Sequence, residues 1–179
     1  MDKLRSKDFF TRSYKNSYVL LRPPKLGDVD QISSLLSGSD LYKFTYIPKK
    51  YDLGNAEKWV RQQMDQPLML VIVPKEIRKI VGVIGVVVDD FRKRHWEIAY
   101  WLGEKYRGKG YMQGALRIFL QGVKKNTPIE KVSARVFVGN TPSIKLLLSS
   151  GFTKEGVLRK HFFHNGKMKS VVFMGLQVR

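Results

Sequence analysis

The sequence contains no cysteine, and this absence removes three kinds of chemistry at once. A disulfide framework, a thiolate metal site and a cysteine nucleophile are all excluded. Histidine is also scarce, with only His95, His161 and His164 and no HExxH spacing among them. The composition therefore argues against a zinc enzyme, and we expect no metal site.

Long hydrophobic runs are missing as well. The longest, from Ile80 to Val88, is far too short to cross a bilayer. Residues 1–16 are basic, carry Asp2 and Asp8, and lack the apolar core of a signal peptide. We therefore expect a cytoplasmic protein without membrane contact, in which a polar N-terminal extension, 1–16, precedes a single domain, 17–179.

Acidic residues are few, with 15 Asp and Glu against 33 Lys and Arg, so the formal net charge is +18. Such an excess favours encounters with polyanions, for example nucleic acids or the ribosome. The basic residues are dispersed along the chain rather than gathered in one run. A dedicated RNA-binding function and a generically basic proteome are both compatible with this charge.

Segments of strand and helix character alternate along the chain, which predicts one α+β or α/β domain around a mixed sheet. The predicted strands are 17–23, 67–74, 79–88, 95–103, 131–138, 152–163 and 169–178. The predicted helices are 27–38, 52–64, 110–125 and 141–151. Asp52 and Thr141 are candidate N-caps, and Asn165-Gly166 is a strong two-residue hairpin signal.

The segment RGKG, residues 107–110, lies between a predicted strand and a predicted helix. Glycines allow backbone amides to approach an anion, and the helix N-terminus favours negative charge. The segment has neither the Gly-Lys-Ser/Thr ending of a Walker A loop nor the GxGxxG of a dinucleotide fold. By itself, a basic glycine turn is more often only a turn.

A second set of residues gives this turn a context. The stretch VSARVFVGNTPSIKLLLSSGF places Asn140 at a strand-to-helix junction, Ser143 one turn into the helix and Gly151-Phe152 after it. Together with WEIAYWLGEKYRGKGYMQGAL, this order resembles the GCN5-related N-acetyltransferase (GNAT) superfamily, and within it the Rim-type acetyltransferases of ribosomal-protein N-termini. The resemblance covers residues 17–178.

The resemblance implies a fold and a co-substrate. The fold would be a GNAT-like domain with a central mixed, largely antiparallel sheet, whose fourth and fifth strands splay apart, flanked by helices. Acetyl-CoA would lie between these strands, with its diphosphate on the backbone amides of the glycine turn and its pantetheine along the fourth strand. The residues implied in cofactor binding are Tyr100, Trp101, Leu102, Arg107, Gly108, Lys109, Gly110, Tyr111, Met112, Asn140 and Ser143.

Acetyl transfer to an amine requires that the amine lose a proton and that the leaving thiolate gain one. Glu97 is the candidate base, acting through water, because it lies in an otherwise apolar strand, an environment typical of catalytic carboxylates. The alternative is that Glu97 faces solvent or pairs with an arginine such as Arg92 or Arg94.

The acid that protonates the thiolate is less clear from the sequence. Many superfamily members carry a tyrosine seven residues after the asparagine, and here that position is Leu147. Ser143 stands where Rim-type relatives carry a serine that serves the sulfur, and we take it as the candidate acid. The alternative is a helix cap or a local backbone partner.

The acceptor site is expected in residues 39–59, which are rich in aromatic and basic residues. Tyr46 and Trp59 are the candidate substrate-binding residues, although most aromatics there would pack in the core. The segment offers few carboxylates to receive a polyamine, namely Asp40, Asp52 and Glu57.

The predicted function is therefore acetyl-CoA-dependent transfer of an acetyl group to a primary amine by direct attack in a ternary complex. The favoured acceptor is a protein N-terminal α-amino group, such as that of a ribosomal protein. The alternatives are a small-molecule amine (a polyamine, an antibiotic or an amino acid derivative) and a non-catalytic nucleic-acid-binding protein of the same fold. A monomer and a homodimer are both compatible with the sequence.

Overall fold

A computed structural model describes residues 6–90 and 94–179 as an eight-stranded sheet with helices on both faces. The strands follow the order β1-β2-β3-β4-β5-β6-β8-β7, and every neighbouring pair is antiparallel except β5 and β6. The strands are β1 (Tyr14–Lys15), β2 (Val19–Arg22), β3 (Met69–Pro74), β4 (Gly82–Asp90), β5 (His95–Leu102), β6 (Lys131–Phe137), β7 (Thr153–His164) and β8 (Lys167–Gln177).

In the described ranges, five α-helices and three short 3-10 turns connect and cover these strands. The helices are α1 (Ser6–Phe10), α2 (Val29–Leu36), α3 (Leu53–Asp65), α4 (Tyr111–Asn126) and α5 (Thr141–Ser149). The 3-10 turns are Leu26–Asp28, Asp40–Lys43 and Glu104–Tyr106. This architecture confirms the predicted fold class, a mixed and largely antiparallel sheet flanked by helices. No helix in the described ranges is long and apolar enough to span a membrane.

Local signals in the sequence account for most of the element boundaries. The Asp52 carboxylate caps α3 by accepting a hydrogen bond from the Asn55 amide at 2.9 Å, as predicted. The cap of α5 is Asn140 rather than Thr141, because Thr141 is already helical and the Asn140 side chain accepts from the Ser143 amide. Asn165 and Gly166 both have positive φ, 49° and 75°, and turn β7 into β8 as the hairpin signal predicts.

Two apolar clusters lie on opposite faces of the sheet. The larger one lies under α1, α4 and α5, and the smaller one under α2 and α3. Side chains of β5 alternate between these faces: Trp96 and Ile98 join the larger cluster, whereas Trp101 packs against the smaller one. The polar residues of β5 can therefore be assigned to a face from their position alone.

The N-terminal segment contributes to the larger cluster. Phe9 and Phe10 are fully buried, and their rings lie 5.3 and 5.6 Å from the ring of Trp96. The polar character expected of residues 1–16 therefore does not hold for Phe9 and Phe10. Residues 1–5 lie outside the described ranges, and the domain boundary at residue 17 stays a prediction.

The sheet opens between its two parallel strands. β5 and β6 pair only at His95–Lys131, Trp96–Val132 and Glu97–Ser133. Both strands continue, to Leu102 and Phe137, and stay paired with β4 and β8 but not with each other, which leaves a V-shaped gap. A β-bulge in β4, between Val86 and Val88, lies at the same level and bends the sheet there. These are the fourth and fifth of the predicted strands, and their splaying is confirmed.

Candidate active site

The glycine turn lies at the open end of the gap. Gly108 and Gly110 have φ values of 73° and 77°, and a Cβ added at either would meet nothing within 4 Å. The left-handed backbone, not lack of space, is therefore what favours glycine here. Gly110 is the N-cap of α4, so the first amides of that helix have no intrahelical partner and face the turn. The turn can bind an anion through backbone groups.

Tyr18, a residue that sequence analysis did not single out, fixes this turn. Its hydroxyl donates a hydrogen bond to the carbonyl oxygen of Lys109 at 2.7 Å, and its ring stacks on Tyr111. The side chains of Tyr111 and Met112 are buried, so these two predicted cofactor residues present only backbone groups to the turn. A Cβ on Gly114 would lie 3.2 Å from the Tyr18 ring, which explains the glycine in the first turns of α4.

Arg107 is already engaged in an ion pair. Its Nη2 donates to Asp40 Oδ1 at 2.6 Å, and both side chains remain partly exposed. The hydrogen bond from Arg107 is the main cause that lowers the pKa of Asp40 below its ordinary value. The pair ties the glycine turn to the 3-10 turn Asp40–Lys43. Arg107 therefore links the two turns, and it also carries the positive charge that the sequence predicts at the edge of the anion site.

The Asp40–Arg107 pair has a predictable pH dependence. Because the pKa of Asp40 is lowered in the folded state, its contribution is present above the pKa of an ordinary aspartate and is lost as the pH falls through the lowered folded value. We expect Asp40→Asn to lower the free energy of unfolding at pH 7 by less than about 1 kcal/mol, as for other exposed pairs. Urea denaturation at pH 7 and at successively lower pH checks this. Asp65→Asn, at an exposed position, is the control, and a difference that does not shrink in acid would contradict the expectation.

Glu97 lies at the point where the gap begins. It is 8% exposed and accepts a hydrogen bond from Arg135 Nε at 2.7 Å. The pairing alternative raised by the sequence is therefore realised, but with an arginine on the neighbouring strand β6. Arg94 pairs instead with Glu130, and Arg92 lies outside the described residues. Among residues 6–90 and 94–179, the second carboxylate oxygen of Glu97 has no hydrogen-bond partner.

Tyr100 and Ser143 meet on the opposite face of the sheet from Glu97. Three positions separate Glu97 from Tyr100 on β5, so their side chains point to opposite faces. The hydroxyls of Tyr100 and Ser143 share a hydrogen bond of 2.7 Å, which joins β5 to α5. Burial raises the pKa of Tyr100 to about 12, against the opposing effect of the Ser143 hydrogen bond. The hydroxyl of Ser143 therefore bonds to Tyr100, while its amide is used by the Asn140 cap.

An aromatic wall borders Glu97 and Arg135 on their face of the sheet. The Tyr46 ring packs edge-on against Phe162 and His164, at 5.8 and 5.6 Å, although the residue is 66% exposed. The pKa of Tyr46 is raised, chiefly by burial, with a lowering effect from Arg135 and a smaller raising one from Glu97. We use the term aromatic wall for Tyr46, Phe137, Phe162 and His164.

The two predicted acceptor residues have different surroundings. Tyr46 belongs to the aromatic wall and lies near Glu97 and Arg135. Trp59 is half-buried and packs against the apolar cluster under α2 and α3, together with Trp101. The structure brings Tyr46 to the site and places Trp59 in core packing. The sequence offered no signal to separate them, because both are aromatic residues in the same segment.

A basic cleft lies beside α4. It has a volume of about 400 Å³ and lies between α4 and the ends of α5 and β8. Arg117 and Lys124 line one side, and Ser149 and Ser150 line the other. In the described part of the chain, no three His, Asp or Glu side chains are placed to hold a metal ion.

The arrangement suits transfer of a group held in the gap. A carboxylate that can accept a proton lies on one face, and a hydroxyl pair that can donate one lies on the other. A nucleophile can approach along the aromatic wall while the leaving group departs on the side of α5. An anionic portion of the donor would bind at the glycine turn.

Comparisons with known proteins agree with this geometry. The family model described as acetyltransferase (GNAT) domain matches residues 19–153. The uncharacterized N-acetyltransferase p20 of Bacillus licheniformis is 29% identical over 166 residues, which is 90% of this chain and 93% of the relative. The [ribosomal protein uS5]-alanine N-acetyltransferase of Escherichia coli is 28% identical over 102 residues, 57% of this chain and 52% of that protein.

Solved structures share the fold at lower identity. A GNAT-family acetyltransferase from Bacillus anthracis superposes with a TM-score of 0.86, at 20% identity, over 93% of this chain and 99% of that one. A ribosomal L7/L12 α-N-protein acetyltransferase, RimL, in complex with coenzyme A gives 0.81 at 17% identity, over 93% and 98%. The spermidine N-acetyltransferase of Vibrio cholerae, in complex with CoA and spermine, gives 0.78 at 20% identity, over 90% and 96%.

Proposed function

The chain belongs to the acetyltransferase (GNAT) family and is an N-acetyltransferase, and from this premise we propose that it transfers the acetyl group of acetyl-CoA to the α-amino group of a protein N-terminus. The observation that carries the proposal is the gap between β5 and β6, with Glu97 on one face and the Tyr100–Ser143 pair on the other. A ribosomal protein is the favoured acceptor.

The residues around the gap fit acetyl-CoA. Beyond Glu97, the edge of β5 that faces β6 has no strand partner among the described residues, so backbone groups of Tyr100, Trp101 and Leu102 can pair with the amides of a pantetheine arm. The Asn140 amide nitrogen can reach the arm from the other side, since its oxygen caps α5. The diphosphate would lie on the amides from Gly108 to Met112, with Lys109 at the rim.

The nucleotide end would extend beyond the diphosphate. The basic cleft begins at Gln113 and Arg117, in the first and second turns of α4, and continues to Lys124. Its volume of about 400 Å³ and its positive charge suit a phosphorylated nucleoside. Gap, turn and cleft together would accommodate a long, polyanionic thioester.

The chemistry divides between the two faces of the sheet. Bound acetyl-CoA supplies an acetyl thioester. Glu97 accepts the proton of the attacking amine through water, using the carboxylate oxygen that Arg135 does not hold. A backbone N–H near Trp101 polarises the carbonyl. As the N–C bond forms and the C–S bond breaks, the Ser143 hydroxyl, held by Tyr100, gives a proton to the sulfur and regains one from water, while the proton taken up by Glu97 returns to solvent.

Charge favours a protein N-terminus over a polyamine. A polyamine carries several ammonium groups and requires several carboxylates. Glu97, the carboxylate next to the aromatic wall, is already paired with Arg135. A ribosomal-protein acetyltransferase is among the relatives of the chain, and the net charge of +18 would aid encounter with a ribosome.

Calorimetric titration followed by a transfer assay tests the proposal. We expect acetyl-CoA to bind at low salt, and the absence of binding would overturn the catalytic function. Thiol release is then followed with ribosomal-protein N-terminal peptides, polyamines and aminoglycosides. We expect the peptides to be acetylated, and the same peptides with a blocked N-terminus but intact lysines to be inert. Turnover of polyamines alone would overturn the proposed acceptor.

A further inference from the structure

Arg135 is held in one orientation beside the candidate base. It lies on β6, on the same face of the sheet as Glu97, to which its Nε donates at 2.7 Å. The centre of its guanidinium group lies 4.8 Å from the centroid of the Phe162 ring. The side chain is 25% exposed, so its outer edge can be reached from solvent. A planar cation fixed in this way presents its remaining N–H groups in a defined direction.

Arg135 keeps donors for a ligand. A guanidinium carries five N–H donors. Nε is used by Glu97, and Nη1 lies 3.4 Å from His161 Nε2. In the parts of the chain that the structure describes, Nη2 has no hydrogen-bond partner. Guanidinium groups bind carbonyl and carboxylate oxygens well in such positions.

One class of amine carries the groups that could engage both residues. In an α-amino carbonyl compound, H₂N–Cα–C=O, the nitrogen and the oxygen are roughly 3 Å apart by standard bond lengths. Arg135 Nε lies 2.7 Å from Glu97, so an amine that reaches the open oxygen of Glu97 through one water would bring a neighbouring carbonyl towards Arg135 Nη2. In a polyamine or a lysine side chain, a methylene group stands where the carbonyl would be, and any further ammonium group of a polyamine would be repelled by the guanidinium.

We infer that Arg135 binds the first carbonyl oxygen of the acceptor and thereby selects α-amino carbonyl compounds over lysine side chains, alkylamines and polyamines. The inference rests on the proposed function and names the chemical class of its acceptor. A peptide N-terminus and a free amino acid share this chemistry. The aromatic wall borders the same place and would contact the first side chain.

The test compares acceptors with and without a carbonyl group next to the amine-bearing carbon. The first pair is a ribosomal-protein N-terminal peptide and the same peptide with an alkene in place of its first peptide bond. The second pair is alanine and 2-aminopropane. For the wild type we expect kcat/KM to favour the carbonyl member of a pair by roughly ten- to a hundredfold, the range for a hydrogen bond to a charged donor.

Arg135→Gln should reduce that preference to within about threefold of unity, because the charged donor is lost. Arg135→Lys keeps a cation opposite Glu97 but not the planar fork, and should retain only part of the preference. Arg159→Gln changes an exposed arginine on β7, the edge strand beyond β8, and is the matched control that should retain all of it. A ratio of two acceptors in one preparation does not depend on the fraction of folded enzyme.

Each outcome decides a separate point. An unchanged preference in Arg135→Gln, or an equal loss for both members of a pair, overturns the inference and leaves Arg135 as a partner of Glu97 alone. Failure of the wild type to acetylate any peptide overturns the proposed acceptor. In that case, acetylation of alanine with a preference that depends on Arg135 would still support the inference for free amino acids.

Discussion

Glu97→Gln should lower the rate of acetyl transfer by roughly a hundredfold to ten-thousandfold, the usual contribution of a general base. Acetyl-CoA affinity should change little, because the expected cofactor contacts are backbone groups of β5 and of the glycine turn. The glutamine can still accept the hydrogen bond from Arg135 Nε, so the link across the two strands is kept. Thiol release measures the rate, and calorimetry on the same preparation measures the cofactor affinity.

Controls separate this effect from a loss of fold. Glu104→Gln changes an exposed carboxylate in the 3-10 turn before the glycine turn and should leave the rate unchanged. Breaking a buried ion pair can be strongly destabilising, so rates are normalised to the number of acetyl-CoA sites. A Glu97→Gln enzyme within about threefold of the wild type would fall far short of general-base catalysis and remove Glu97 from the mechanism.

Ser143→Ala tests the candidate acid, on the face of the sheet opposite to Glu97. It removes the hydroxyl that bonds to Tyr100 and leaves the Tyr100 side chain in place. A lower kcat with an unchanged KM for the acceptor would assign the hydroxyl to the leaving sulfur. An unchanged kcat would contradict that role and leave the Tyr100–Ser143 bond as a link between β5 and α5.

Phe9→Ala should lower the free energy of unfolding by about 3–5 kcal/mol, the usual cost of truncating a buried phenylalanine. Phe9 is fully buried, and its ring contacts Tyr14 at 4.6 Å and Phe119 at 5.4 Å. The backbone of α4 also lies close to the Phe9 ring: a Cβ on Gly122 would be 3.2 Å from it. Truncation would leave a cavity between α1 and α4 that these groups cannot all fill.

Phe163→Ala is the matched control, since Phe163 is 69% exposed. Its effect should stay within about 0.5 kcal/mol, as for most surface substitutions. Urea denaturation followed by circular dichroism measures both variants. A loss below about 1 kcal/mol for Phe9→Ala would be well short of the cost of a core truncation and would mean that the N-terminal segment is not part of the folded core.

The elements that the sequence predicted are those with local causes. A side-chain cap such as Asp52 and a left-handed turn such as Asn165-Gly166 depend on residues within a few positions of each other. The position of the glycine turn between β5 and α4 was also predicted from the sequence, because the order of the motifs is specific even where each motif is weak. These features required no knowledge of which strands are neighbours.

The features that the sequence missed depend on distant parts of the chain. Glu97 and Arg135 are 38 positions apart and meet only because β5 and β6 are parallel neighbours in one register. Arg94 is much closer to Glu97 in the sequence, yet it pairs with Glu130. The burial of Phe9 and Phe10 was equally hidden, since a five-residue helix has too few turns to show an apolar period.

The short pairing between β5 and β6 has a mechanical consequence. The sheet has two parts, β1–β5 and β6–β8. In the described residues, the backbone seam between them consists of the three residue pairs of β5 and β6 and the bonds from the Glu130 and Lys131 amides to the Arg94 carbonyl. A ligand that bonds to both sides of the gap closes this seam as a further strand would. At one hundred times its dissociation constant, such a ligand adds about 2.7 kcal/mol to the free energy of unfolding. If acetyl-CoA is that ligand, as proposed, the free energy of unfolding of the sheet depends on the acetyl-CoA concentration.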